Sequence, residues 1–247
     1  MHGRTLRVGS PGENGRGRLA GGQERRNIVN RIYLSHFLGD DTPFYGGDET
    51  FQVESVRSIA AGDVCNTSRW SFLNHAGTHV DLPLHFFSEG KSLQEYPPDY
   101  WIFSKIALLD LSDRLPVRVV GPEVLEQVLF LDKLRCQLIK TGTGELRGTP
   151  TYWQAGPVFR PEMADYLRTR FCSLRAIGFD AISVSSWTDR VTGRSAHRAF
   201  LGGPAPILLI EDVNLTPLNV SQRILKVTVA PLLVRETDAA PCTILPR

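Results

Sequence analysis

Pro83 limits how this chain can present its histidines. It lies in the stretch Asn74-His75-Ala76-Gly77-Thr78-His79-Val80-Asp81-Leu82-Pro83-Leu84-His85, where three of the six histidines fall within eleven residues. A proline inside a helix removes a hydrogen bond and clashes with the preceding turn, so a continuous helix is opposed here. In an extended segment alternate side chains share a face. That places His79, Asp81 and His85 on one face and Val80, Leu82 and Leu84 on the other. Gly77 and Thr78 fall where His75 must fold back toward the polar face. Imidazole and carboxylate are side chains that hold divalent transition metals. The stretch therefore reads as the rim of a metal site that needs further ligands from elsewhere.

The chain has 247 residues, 42% of them hydrophobic and 22% charged, which suits a soluble protein with a large core. A net charge of +2 implies no polyanionic partner. Cys65, Cys136, Cys172 and Cys242 form no CxxC pair, so they read as thiols in a reducing compartment. No apolar run approaches the roughly 20 residues needed to span a bilayer. The start lacks the apolar core of a signal peptide. The expectation is a cytoplasmic protein with no membrane or nucleic-acid partner. Residues 1–27, rich in Gly and Arg, are expected to be a disordered basic tail. A nucleic-acid arm there would lack aromatic interleaving. Residues 28–247 are expected to form one domain.

Hydrophobic patterning gives the elements. Ile32-Tyr33-Leu34 reads as a short strand, Phe51 to Val56 as another, and Thr67 to Asn74 as an extended entry to the histidines. The stretch from Phe86 to Trp101 reads as an aromatic-rich loop. Strands are expected at Ile106–Leu111, Cys136–Thr141, Ala176–Val184, Pro206–Asp212, Ile224–Val229 and Leu232–Val234, with an edge strand at Pro241–Pro246. Helices are expected from Gly121 to about Leu131 and from Arg160 to about Cys172, each with proline and acid at its start. Thr141-Gly142-Thr143-Gly144 lacks the Lys of a phosphate loop and reads as a strand-end loop. Residues 185–203 read as a long polar connection. Strands outnumber helices and interleave with them, which implies an α/β fold with a mixed sheet.

Two distant residues complete a ligand set. His197 lies in the expected 185–203 connection, and Glu211 ends the apolar run Ile207-Leu208-Leu209-Ile210. A carboxylate at the end of so apolar a strand is costly unless paired or metal-bound. With His75, His79 and Asp81 the set suffices for one metal, or for two bridged by a carboxylate. His85 is open to two roles, fourth ligand or base. Phe44 and Tyr45, in a glycine-bearing loop, are candidates to line the pocket, and His36 stays open.

The pattern His75-x-Gly77-Thr78-His79-x-Asp81-x-Pro83-x-His85 resembles the HxGTHxDxPxH signature of the metal-dependent cyclase family, which includes bacterial kynurenine formamidases and isatin hydrolases. Similarity continues through Leu34-Ser35-His36, Pro43 to Asp48, Leu138 to Gly142, Gly178-Phe179-Asp180, Ala196-His197 and Ile210 to Leu215. The resemblance implies a mixed-sheet core of the swivelling β/β/α type with flanking helices, in homodimers or homotetramers. It implies His75, His79 and Asp81 around a first metal, and Asp81, His197 and Glu211 around a second in dinuclear zinc members. Other members use one manganese. His85 is then the general base, and Tyr45 takes the place of a substrate-stacking tryptophan. Gly46 departs from the usual proline of that loop, Asp212 from asparagine, and the strand near Pro241-Cys242 lacks a common arginine. These departures bear on substrate rather than on metal chemistry.

The expected activity is hydrolysis of an amide, formamide or lactam C–N bond in a small, aromatic substrate by metal-activated water. Asp180 is the candidate to support the ligating imidazoles. The competing expectations are a cyclase or dehydratase, an ester or lactone hydrolase, and a non-catalytic metal-dependent binding protein.

Overall fold

A computed structural model describes Val29 and residues 32–114, 118–125 and 133–247. The expected tail at 1–27 and the continuation of the expected 121–131 helix past Leu125 lie outside these residues. Strands β1 (Gln52–Arg57) and β2 (Thr67–Ser71) pair as an antiparallel hairpin apart from the main sheet. The main sheet takes β3 (His79–Asp81), β4 (Ile102–Ser104), β5 (Ile106–Asp110), β7 (Cys136–Lys140), β9 (Ala176–Phe179), β10 (Leu208–Glu211), β11 (Lys226–Pro231) and β12 (Ala239–Pro246). Two short strands, β6 (Val119–Val120) and β8 (Val158–Phe159), form a small parallel pair. The helices are α1 (Pro150–Gln154), α2 (Glu162–Arg170) and α3 (Arg190–Leu201). The expected α/β class with a mixed sheet is what the chain adopts.

The spatial order is β4-β11-β12-β3-β10-β9-β7-β5. Strands β5, β7, β9 and β10 run parallel. From β10 through β3, β12 and β11 to β4 each pairing is antiparallel. The change of direction therefore falls between β10 and β3, the two strands that carry candidate ligands. The parallel half is built from nearly continuous apolar runs, CQLIK, AIGF and LLIE, as strands covered on both faces require.

Several expectations are corrected. Residues 32–34 are not a strand. Leu34 instead bridges two segments, its N–H donating to Ile244 and its carbonyl accepting from Asn214. The strand ends at Asp81, extended backbone continues through Leu82, and Pro83–His85 forms a 3-10 turn, because proline opens such a turn readily. Only a 3-10 turn, Pro122–Val124, is described where a helix was expected from Gly121. The final strand is not an edge: β12 lies between β11 and β3. Residues 232–234 lie outside any strand.

The largest correction is α3, which occupies the expected 185–203 loop. The Asp189 carboxylate caps it by accepting from the Thr192 N–H at 3.1 Å. Its buried residues, Gly193, Ala196, His197, Phe200 and Leu201, recur at the spacing of one helical face. Gly193 permits a close approach, since a Cβ there would stand 1.9 Å from Ser185 Oγ. No described helix is long and apolar enough to cross a membrane. Phe200 is fully buried and anchors α3 to the core. Phe200→Ala should lower folding stability by about 3–5 kcal/mol, read as a lower denaturant midpoint with unchanged slope.

Candidate metal centre

Sheet register builds the centre. In the β3–β10 pairing His79 lies opposite Glu211, and Asp81 lies opposite Leu209. Directly opposed residues share a face, so His79, Asp81 and Glu211 project together while Val80 and Ile210 pack on the other side. Gly77, at φ +56°, turns the chain before β3, and His75 folds back onto that polar face. His197 comes down from α3, and His85 arrives on the 3-10 turn after Pro83. All five expected ligands and His85 line one cavity of about 250 Å³.

The donor atoms converge. His75 Nδ1 and His79 Nε2 lie 3.0 and 3.2 Å from Asp81 Oδ1, and His197 Nε2 lies 3.6 Å from Asp81 Oδ2. His79 Nε2 and His197 Nε2 stand 3.5 and 3.7 Å from the two oxygens of Glu211. Donors around a tetrahedral ion with bonds near 2.0–2.1 Å are about 3.3 Å apart. Two imidazoles are fixed for metal binding by carbonyls that can only accept. His79 Nδ1 donates to Gly77 and His197 Nδ1 to Gly193, each at 2.9 Å, which leaves both Nε2 atoms free. His79 Nε2 and both Asp81 oxygens are buried without an aligned hydrogen bond. Buried polar groups are rarely left so. These orphaned atoms and the His/carboxylate chemistry fit a divalent metal.

Charges in the cluster shape its titration. Burial pushes the His75 imidazole down, but the Asp81 charge and the bond to Asp238 outweigh it and hold it at about 10. His197 is likewise lowered by burial yet held at about 10 by Asp81 and Glu211. His79 is raised despite burial, through Asp81. For Asp81 burial acts upward, and the surrounding imidazoles hold it well below the carboxylate range.

Sequence reasoning missed Asp238. Its Oδ2 lies 3.1 Å from His75 Nε2 and 2.9 Å from His85 Nδ1, and its Oδ1 accepts from Asn74 Nδ2 at 2.7 Å. The bonds from His75 and His85 hold its carboxyl far below the usual range. Asp238 sits just before β12, and no local motif marks it. Its only signal is the pairing of β12 with β3, which is invisible without the topology.

Other expectations divide. Tyr45 lines the cavity, donates to Ser185 Oγ at 3.3 Å and packs edge-on to Trp187. Phe44 does not line it: the ring is buried with Phe51 and Ala76 in a separate apolar cluster, so it packs rather than binds. Asp180 does not support an imidazole. Its carboxylate accepts from Thr141 N and Oγ1 and from the Gly142 and Gly144 N–H groups, bracing the loop after β7. His36 faces Asp212 at 3.8 Å, outside the cavity lining. Of the 86–101 aromatics Phe86 lines the cavity, stacked on His197 at 4.8 Å, whereas Tyr96, Tyr100 and Trp101 pack against the core. Gly46 has φ +99°, which proline cannot adopt, and a Cβ there would be 3.2 Å from Trp187. This loop therefore takes a course of its own, set by Trp187.

Comparison with known proteins agrees with the geometry. A family model named Cyclase matches residues 32–186. A kynurenine formamidase of Bacillus thuringiensis (strain Al Hakam) is 26% identical over 211 residues, 85% of this chain and 93% of that protein. Isatin hydrolase A from Labrenzia aggregata, solved with benzyl benzoate, superposes with a TM-score of 0.72 at 20% identity, covering 87% of this chain and 92% of that one. Isatin hydrolase A from Ralstonia solanacearum does so with a TM-score of 0.69 at 17% identity, covering 92% and 94%.

The raised imidazoles give a test of metal binding. With pKa values of about 10, His75 and His197 are protonated at neutral pH in the metal-free protein. A metal takes only the neutral nitrogen, so uptake must expel protons and apparent affinity must rise with pH. Calorimetric titration of Zn²⁺ at pH 7, in buffers of different ionisation heat, should show release on the order of two protons per chain. No release would mean that the imidazoles are already neutral.

Proposed function

The chain belongs to the Cyclase family, and from that premise we propose that it is a metal-dependent hydrolase cleaving an amide, formamide or lactam C–N bond in a small aromatic substrate. The observation that carries this reading is the Asp238 bridge. His85 Nδ1 is held by Asp238, and the ring lines the cavity with a donor atom within 4.8 Å of those of Asp81 and His197. Its ring lies 4.2 Å from that of His75 and 5.8 Å from that of His197, centre to centre. A store for metal needs no such oriented base.

A divalent metal held by His75, His79, Asp81, His197 and Glu211 would supply Lewis acidity and a lowered water pKa. Zinc, as one or two ions per chain, suits these donors, with manganese the alternative. The two Asp81 oxygens address different imidazoles, so Asp81 would be available to more than one ion. His85 Nε2 takes a proton from the attacking water. Asp238 stabilises the resulting imidazolium and keeps the ring in register. The same nitrogen then returns the proton to the departing amine. Tyr45 and Phe86 flank the site, and a cavity of about 250 Å³ suits a single-ring substrate. The apolar residues Val53, Val56, Ile59, Val64 and Trp70 are exposed on and around the β1–β2 hairpin, which supports a homodimer or homotetramer. Free thiols at all four cysteines favour a reducing, cytoplasmic setting.

Chelation should abolish hydrolysis of an N-formyl arylamine or aryl lactam, and metal should restore it. His85→Ala should keep its metal content but lose about 10²–10⁴-fold in kcat. Full activity in that variant would remove His85 from the mechanism. A metal-loaded protein active only on esters or lactones would redirect the reading to that class. One inert to amides, lactams and esters alike would leave a binding protein.

A further inference from the structure

We propose that the wall of the cavity formed by α3 is an anion subsite, in which Arg190 and Arg194 hold a carboxylate of the substrate away from the bond that is cleaved. The inference rests on the hydrolase reading above and narrows its substrate class to acids. Both arginines line the same cavity as the metal ligands. They precede His197 on α3 by seven and three residues, so the three side chains lie along one stripe of the helix. At 1.5 Å per residue, the arginines begin about 4.5 and 10 Å from His197 along the helix axis. One helix thus presents a candidate metal ligand and two cations to the same cavity.

Neither guanidinium has an ion-pair or hydrogen-bond partner among the described residues. The nearest acid in sequence, Asp189, is engaged in capping α3. Arg190 is nonetheless held in place, with its Cζ 4.8 Å from the centre of the Trp187 ring. Trp187 packs edge-on against both Tyr45 and Trp153. The arginine is therefore tied to the aromatic wall beside which a substrate ring would lie. Ser183 and Ser185 line the same side, and both keep a hydroxyl proton available, since Ser185 Oγ accepts from Tyr45 and Ser183 Oγ accepts from the Ser185 N–H.

The opposite wall is different in kind. Asp81 and Glu211 are committed to the metal and Asp238 to two imidazoles. With the metal bound those carboxylates are offset, and the unpaired arginines leave the mouth cationic. Guanidinium binds carboxylate in paired hydrogen bonds, which favours an organic acid over a neutral amide.

The test compares formanilide with its ortho-, meta- and para-carboxyl derivatives on the metal-loaded enzyme, by kcat/KM and by calorimetric binding. The wild type should prefer at least one carboxylated isomer by roughly ten- to hundredfold. Arg190→Gln/Arg194→Gln should collapse that ratio, and Arg194→Lys should retain part of it. An equal rate on neutral and carboxylated substrates, or an undiminished ratio in the double variant, overturns the proposal while leaving the hydrolase reading intact. If none of the four is hydrolysed, binding alone decides the subsite, and the hydrolase reading passes to lactam and ester substrates. Tighter binding of a carboxylated isomer by wild type than by the double variant supports the subsite, and equal binding overturns it.

Discussion

A carboxylate sealed from water with neither oxygen in an aligned hydrogen bond sets the terms for this molecule. Asp81 is fully buried on a central strand. Its cross-strand neighbours are Leu209 and Ala239, which offer it no side-chain donor. An unpaired buried charge costs several kcal/mol, so positive charge must come to it. Three imidazoles from three elements do so, from the turn before β3, from β3 itself and from α3. His75 and His197 act as cations without metal, and all three would serve a metal as neutral ligands. The same burial that makes Asp81 costly alone makes the filled centre strong, because water cannot compete for its donors.

The ligand strands are fastened to each other by more than their ladder. Asp212 follows Glu211 in a left-handed conformation, φ +50°, which short polar side chains tolerate best. Thr78, just before His79, donates to the Asp212 carbonyl at 2.5 Å. Arg147 grips the Asp212 carboxylate through Nε and Nη2, and Tyr152 donates to it. Burial, reinforced by Asp212, pushes that phenol well above its ordinary range, so it remains a donor. One hub therefore sets the entry to β3 and the exit from β10. It also accounts for aspartate at 212 in place of asparagine, since an amide could not pair with Arg147 as a charge.

The candidate metal centre was largely legible because its signal is local and chemical. His75, His79 and Asp81 lie within seven residues, and Glu211 ends a run too apolar to leave an acid unexplained. The α/β class followed from patterning. What escaped depended on geometry that no short window contains. α3 was hidden because its buried stripe includes Gly193, Ala196 and His197, small or polar residues that weaken a hydrophobic period. The place of β12 beside β3, and with it Asp238, is set by long-range pairing. Phe44 and Tyr45 are adjacent yet face opposite ways, one into a cluster with Phe51 and one into the cavity. Asp180 was visible as a strand-end acid, but its four contacts run to Thr141, Gly142 and Gly144 rather than to an imidazole.

Asp238 ties the candidate ligand His75 to the proposed base His85 in a way that constrains both. Its Oδ2 meets His75 through Nε2 and His85 through Nδ1, so the two rings must present opposite nitrogens to the cavity. His75 offers Nδ1, beside Asp81, and His85 offers Nε2. Because one oxygen serves both, a shift of the carboxylate toward His85 loosens its hold on His75. In the proposed mechanism, a proton taken up by His85 would strengthen its share of that bond. The carboxylate is about one-third exposed, so water at the mouth can relax that shift. Deeply buried Asp81 could not play this part, since it has no solvent to lean on. The candidate site thus divides its acids by depth, with sealed Asp81 among the candidate ligands and partly exposed Asp238 beside the proposed base.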